Sequence, residues 1–344
     1  MRLLRRLLTP MLFAGVLLVL PGLAQTSDQP SAGHAANDKS SAKQPETAPG
    51  ESAETFRVDV NVVNLFFTVK DKHGVMVPNL PKEDFTVLEN GKPQTVKYFM
   101  ADANQPLTLG LLVDTSGSEA RMLPFEKEVA SQFISDVLRP KDLAFLISFD
   151  VNVDLLQDFT AQDQDLRVAL RRTEINTGGG GGIPGMGGGP IPQVRSRGTL
   201  LYDAVYLASE DKLRHEVGRK ALIIFTDGDD EGSQTTLTQA IEAAQKADAM
   251  VYVVLIYDPR FINGDREMER LCQETGGRVL RVGDRSEKLK KALQEVSEEL
   301  RSQYYIGYTP TNNKADGSFR RVEVHAKNSD NKVHARKGYY AAKQ

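Results

Sequence analysis

Four stretches of this chain are apolar almost from end to end: Leu107–Val113, Leu143–Phe149, Ala221–Phe225 and Met250–Ile256. A strand with one face in water alternates apolar and polar residues, and these do not, so both of their faces must be covered. Helical spacing runs from Phe125 to Val137. Further helical stretches near 199–212, 236–248, 265–275 and 285–302 separate or follow the apolar runs. Buried strands alternating with amphipathic helices predict an α/β fold, a doubly wound, mostly parallel sheet with helices on both faces. Ligands of such sheets bind outside the carboxyl ends of the strands. The residues that directly follow the apolar runs are therefore the place to seek a site.

Those residues carry oxygen. Asp114, Ser116 and Ser118 follow the first run, in Asp114-Thr115-Ser116-Gly117-Ser118. Thr199 precedes Leu200-Leu201-Tyr202-Asp203-Ala204, and Asp227 follows the run that ends at Phe225. Carboxylates and hydroxyls suit a hard cation such as Mg²⁺ or Mn²⁺, and softer donors are missing from these clusters. Two carboxylates roughly neutralise a divalent ion, while hydroxyls add no charge. The ion then stays electrophilic at an open position, which an incoming acidic group can fill. Read alone, Ser116 or Ser118 would serve equally well as a helix cap. Asp203, one helical turn after Thr199, either supports the site or caps backbone. Asp229, Asp230 and Glu231 read as a solvated turn, and Asp258 as the start of an Asp-Pro turn.

Asp-x-Ser-x-Ser after a buried strand, a distant Thr, and Asp-Gly after another strand resemble the metal-ion-dependent adhesion site of von Willebrand factor type A (VWA) and integrin I domains. The resemblance covers roughly residues 104–300, and Thr275-Gly276-Gly277 before Arg278-Val279-Leu280 resembles the late helix-to-strand turn of these domains. It implies a Rossmann-like VWA fold. It also implies that Ser116 and Ser118 coordinate the ion directly, and Asp114 and Asp227 directly or through water. Thr199 would coordinate directly in the high-affinity state of members that switch. The implied cofactor is Mg²⁺ (or Mn²⁺ or Ca²⁺), and the implied partner is a protein offering an Asp or Glu carboxylate.

The flanks have a different rhythm. Val58, Val60 and Val62 alternate with polar residues, Phe85–Leu88 and Thr95–Phe99 surround an Asn90-Gly91 turn, and Arg321–Ala326 alternates again. These are signals of short antiparallel strands. Each flank is too small for a core of its own. Segments 56–103 and 301–344 are therefore expected to pair into one small β-sandwich, with the domain over 104–300 inserted into it. These flanks, including Tyr304–Pro310 and Asp316–Arg320, resemble the exported bacterial VWFA-related domain proteins.

The N-terminus reads as an address. Arg2, Arg5 and Arg6 precede an apolar stretch from Leu7 to Leu20 and a small-residue cleavage site after Ala24, giving a signal peptide over 1–24. The stretch is short for a span, which needs about 20 apolar residues, so no transmembrane segment is expected after cleavage. The mature chain is expected to be periplasmic or secreted. Residues 25–55 hold almost no large apolar side chains and read as a disordered linker. The Gly-rich segment 178–190 lacks the pattern of a phosphate loop and reads as a flexible surface loop. A net charge of −3 gives no basic field for nucleic acid. The single cysteine, Cys272, excludes an internal disulfide and reads as a buried apolar residue. Ser116 has no obvious histidine partner and no Gly-x-Ser-x-Gly elbow is present, so the expectation is a binding module of the bacterial envelope and no enzyme; the alternatives are a structural envelope protein with a purely stabilising metal and a metal-assisted hydrolase.

Overall fold

The computed structural model describes residues 62–101, 105–175, 198–256, 264–282 and 286–343. The expected signal peptide, the linker, the Gly-rich loop 178–190 and Asp258 lie outside the described residues. The chain first forms four short strands: β1 (Val63–Lys70), β2 (Phe85–Glu89), β3 (Lys92–Gln94) and β4 (Val96–Met100). Asn90 and Gly91, at φ 48° and 76°, join β2 to β3 as a two-residue hairpin. Positive φ at both central residues is what the tightest hairpins need, and Asn-Gly supplies it at low cost.

The central domain follows. Its elements are β5 (Leu107–Asp114), α1 (Leu123–Val137), β6 (Leu143–Phe149), β7 (Val153–Thr160) and α2 (Asp163–Arg172). Then come α3 (Leu201–Leu207), β8 (Arg219–Thr226), α4 (Leu237–Lys246) and β9 (Ala249–Leu255). The last are α5 (Asp265–Thr275), β10 (Val279–Arg281) and α6 (Ser286–Arg301). The strands form one sheet in the order β10-β9-β8-β5-β6-β7, parallel except for β7 against β6. Alternate residues of each buried strand feed opposite cores. Leu109, Leu111, Ile223 and Tyr252 pack with α1, α2 and α6. Phe145, Leu222, Ile224 and Val253 pack with α3, α4 and α5.

Each end of the sheet shows how local chemistry sets an element. Thr236 opens α4 with a reciprocal cap: its hydroxyl accepts from the Gln239 amide, and the Gln239 side chain accepts from the Thr236 N–H at 2.8 Å. Thr236→Ala is expected to cost about 1 kcal/mol, read as a lower urea midpoint with an unchanged slope. At the other end of α5, Gly276 takes φ 91° and Gly277 packs flat on β9. A Cβ on Gly277 would fall 2.0 Å from the Val251 carbonyl oxygen. That is the physical content of the Thr275-Gly276-Gly277 turn.

The chain closes with β11 (Tyr304–Tyr308), β12 (Phe319–Ala326), β13 (Lys332–Ala335) and β14 (Gly338–Tyr340). These strands interleave with the first four. One sheet has the order β13-β1-β11-β4 and the other β14-β12-β2-β3. Leu65, Phe67, Phe85, Val87, Tyr304, Ile306 and Val324 fill the space between them. The two flanks thus build one sandwich around a shared core. β3 and β4, and likewise β13 and β14, follow each other closely in the chain yet join opposite sheets, as strands do at the corners of a sandwich. The sandwich is tied to the central domain by Lys70 on Glu299 at 2.7 Å and by the buried Arg336, which contacts Asp248 and donates to the Asn64 carbonyl.

Candidate metal centre

Counted within the central domain, the sheet order is that of a doubly wound fold, and the order reverses between β5 and β8. A crevice opens outside the carboxyl ends of the strands at such a point. β5 ends on Asp114, beside the end of β8, with Val113 opposite Phe225. The Thr226 hydroxyl donates to Asp114 Oδ2 at 2.7 Å, and the Ser116 N–H donates to Oδ1 at 2.9 Å. Asp114 is fully buried. Burial pushes its carboxyl up to about 7, against the pull of the Ser116 and Thr226 hydrogen bonds, and the neighbouring Asp227 charge adds to the rise. The sheet thus sets two acidic groups side by side, with no basic side chain among the groups that act most on Asp114.

The two serines answer the capping question. Ser116 precedes a 3-10 turn over Gly117–Arg121 yet makes no side-chain cap, and α1 starts only at Leu123. Instead Ser116 Oγ and Ser118 Oγ lie 3.0 Å apart. Ser116 is buried and Ser118 is exposed, so the pair runs from the floor of the site to its rim.

Thr199 reaches the same edge by backbone. It exchanges two hydrogen bonds with Glu231, at 2.9 and 3.0 Å, in the loop that follows Asp227. The next residue, Leu200, donates to the Asp150 carbonyl after β6, and Asp150 Oδ2 accepts from the Thr115 hydroxyl at 2.7 Å. Loops after three strands are thereby stitched together around the site. The structure draws Asp114 and Asp227 together and pairs Ser116 with Ser118. It brings Thr199 to the shared rim through its main chain.

The neighbouring acids have other work. Asp203 caps backbone: its carboxylate accepts from Gln234 at 3.0 Å and Thr235 at 2.8 Å, which pins the loop after Asp227. Asp230 corrects the reading of a purely solvated turn, because Oδ1 accepts from the Tyr202 N–H and the Ser233 hydroxyl.

Sequence reasoning passed over Glu119. It follows the Asp-x-Ser-x-Ser run directly and is 2% exposed. One ligand oxygen each from Asp114, Glu119 and Asp227 lies within 4.8 Å of the others. Charged side chains are almost never fully buried, so nothing in the sequence singled Glu119 out. Behind it, Glu126 in the first turn of α1 is equally buried. Burial raises both carboxyls well above the ordinary range, and the site's acids raise them further.

The donor set fits a hard divalent cation. All donors are oxygen, and Glu119 Oε2 is buried with no hydrogen-bond partner. Asp114, Ser116, Ser118 and Asp227 are the residues that would hold the ion, with Thr199 at the rim and Glu119 beside Asp114 and Asp227. When bound, it would supply an electrophilic coordination position that an acidic group could fill.

No family model matches the sequence, and no curated protein does. Among solved structures, the chain is similar to the conserved hypothetical protein BatB from Bacteroides thetaiotaomicron. The identity is 20%, over 57% of this chain and 100% of that one, with a TM-score of 0.42. It is also similar to proximal thread matrix protein 1 from the mussel byssus, at 12% identity over 62% of this chain and 51% of that one (TM-score 0.46). A third similar structure is the SpRpn10 VWA domain, at 10% identity over 56% of this chain and 95% of that one (TM-score 0.40). The central domain is a doubly wound α/β domain with a mostly parallel six-stranded sheet. No helix among the described residues is long and apolar enough to cross a membrane.

Proposed function

We propose that this protein is a metal-dependent protein-binding module of the bacterial envelope, exported by its N-terminal signal. A divalent cation held by Asp114, Ser116, Ser118, Asp227 and, in a high-affinity state, Thr199 captures an acidic side chain of a partner protein. The observation that carries this reading is the convergence of Asp114 and Asp227 with two uncapped serine hydroxyls at the reversal point of the sheet. The role proposed is coordination, supported by the Ser116 hydroxyl lying 3.0 Å from Ser118 Oγ and acting on the Asp114 carboxylate. Mg²⁺ suits the two-carboxylate form of the site, since it binds through one or two carboxylates and keeps waters that a partner can displace.

Thermal melting tests the proposal. A ligand that binds only the folded state at about 100 times its Kd adds about 2.7 kcal/mol of stability. Mg²⁺ or Mn²⁺ is expected to raise the melting temperature of the wild type, and an acidic peptide to raise it again only when metal is present. Asp114→Ala is expected to abolish both shifts while leaving the circular dichroism spectrum unchanged. A metal shift with no further effect of the peptide would assign the ion a structural role. Full retention of both shifts in Asp114→Ala would sink the proposal.

A further inference from the structure

Two carboxylates near the candidate ion were expected from the sequence, and the fold delivers more. Glu119 and Glu126 are each 2% exposed. Glu119 Oε2 and both carboxylate oxygens of Glu126 are buried, and the hydrogen bond that links Glu119 to Glu126 joins two acids. Burying a carboxylate without a partner is costly, and proteins normally satisfy such groups with a donor or a metal. Here the groups acting on Glu119 are themselves acidic: Glu126, Asp114 and Asp227. The hydrogen bond between Glu119 and Glu126 leaves Asp114 and Asp227 without a counter-charge, and a cation among the four supplies one.

The geometry selects Glu119 for that role. The ligand oxygens of Asp114, Glu119 and Asp227 fall within 4.8 Å of one another. The 3-10 turn places Glu119 three residues after Ser116, on the buried side, whereas Ser118 is exposed. Glu119 therefore reaches the ion position from beneath and leaves the solvent side open.

We infer that Glu119 is a third carboxylate ligand of the cation, and that the site it completes takes Ca²⁺ in preference to Mg²⁺. Ca²⁺ accepts six to eight oxygens and gains affinity as carboxylates are added, whereas Mg²⁺ keeps several waters and takes one or two carboxylates. Asp114, Glu119, Asp227, Ser116 and Ser118 offer too many protein oxygens for the second pattern. Three carboxylates also outweigh the charge of a divalent ion. The loaded site then draws an acidic partner group weakly, so the capture is reversible. This inference rests on the metal reading proposed above and changes its ion and its strength.

Calorimetric titration of the full chain with Ca²⁺ and with Mg²⁺ tests it, using wild type, Glu119→Gln, Glu126→Gln and Asp114→Ala. The wild type is expected to bind one Ca²⁺, more tightly than Mg²⁺. Glu119→Gln should weaken Ca²⁺ binding at least 10-fold and erase the preference over Mg²⁺. Glu126→Gln, which removes a buried acid behind the ligand, should change Ca²⁺ affinity only a few-fold. At saturating metal, Glu119→Gln should bind an acidic peptide more tightly than the wild type, which a merely structural role for Glu119 would not produce. Wild-type Ca²⁺ affinity in Glu119→Gln, with binding lost in Asp114→Ala, would overturn this inference and leave the metal site standing. Equal losses in the two glutamine variants would reduce Glu119 to bulk charge and also overturn it, as would a wild type that prefers Mg²⁺. A wild type that binds neither ion would overturn both readings. Should Glu119→Gln fail to fold, Glu119→Asp keeps the charge, shortens the reach by one methylene and is expected to show the same loss of Ca²⁺ affinity.

Discussion

Replacing Arg320 with methionine is expected to destabilise the protein by about 3–5 kcal/mol, the usual cost of removing one partner from a buried ion pair. Arg320 is 2% exposed, Glu89 is 3% exposed, and Nη1 lies 3.6 Å from Glu89 Oε1. The Tyr308 and Tyr339 hydroxyls each donate to Glu89 Oε2 at 2.9 Å. Arg320 also donates to the Asn312 and Lys314 carbonyls. The guanidinium therefore satisfies a carboxylate from the first flank and main chain from the second. Without it, Glu89 keeps two hydroxyl donors and loses its counter-charge. Urea unfolding would read the loss as a lower midpoint with an unchanged slope. A change below about 1 kcal/mol would show that the pair is hydrated in solution. Adding Glu89→Gln to Arg320→Met should recover part of the loss, because the uncompensated charge is then gone while the tyrosines keep an acceptor.

The second large effect is expected in the sheet below the metal centre. Phe145→Ala should cost about 3–5 kcal/mol, since the residue is fully buried and the cavity it leaves can collapse only in part. Its ring packs edge-on against Phe159, with centroids 5.4 Å apart. It also fills the space above Gly110, where a Cβ would fall 2.4 Å from the Phe145 ring and 2.5 Å from Leu222. Gly110→Ala alone should therefore cost about 1–3 kcal/mol through overpacking. In the Phe145→Ala background the same change should cost much less, because the methyl enters the vacated space and Leu222 gains room to move. Strict additivity in a double-mutant cycle would contradict this contact. Gly110 lies four residues before Asp114 on the same strand, so strain introduced here also bears on the site.

Much of this architecture was legible before any coordinates. Leu107–Val113, Leu143–Phe149, Ala221–Phe225 and Met250–Ile256 are apolar on both faces, and only a covered, mostly parallel sheet satisfies such runs. Asn90-Gly91 announces its hairpin because few other residue pairs reach positive φ twice. Other parts were hidden for identifiable reasons. β7 is half exposed and carries Asp154, Gln157 and Asp158 among its apolar residues, so it has neither the buried nor the cleanly alternating pattern. The placing of β3 and β4 in opposite sheets was invisible because period-two alternation says which way a side chain faces, and not which sheet the strand joins. Asp203 could not be assigned from its helical spacing alone; its role appeared only when the Gln234 and Thr235 amides were found on its carboxylate.

The candidate site divides along the same line. Asp114, Ser116, Ser118 and Asp227 could be placed by the sequence alone, because each directly follows a run whose end is readable and a doubly wound sheet gathers those ends. Glu119 and Glu126 could not. Charged side chains are almost never fully buried, so an isolated Glu in a sequence carries a strong expectation of solvent. Only the tertiary structure turns the 3-10 turn and the first turn of α1 inward and sets both carboxyls behind Asp114. Local residue chemistry determined the strands, the turns and the outer donors. Long-range packing, which no period in the sequence encodes, decided how many carboxylates share one point.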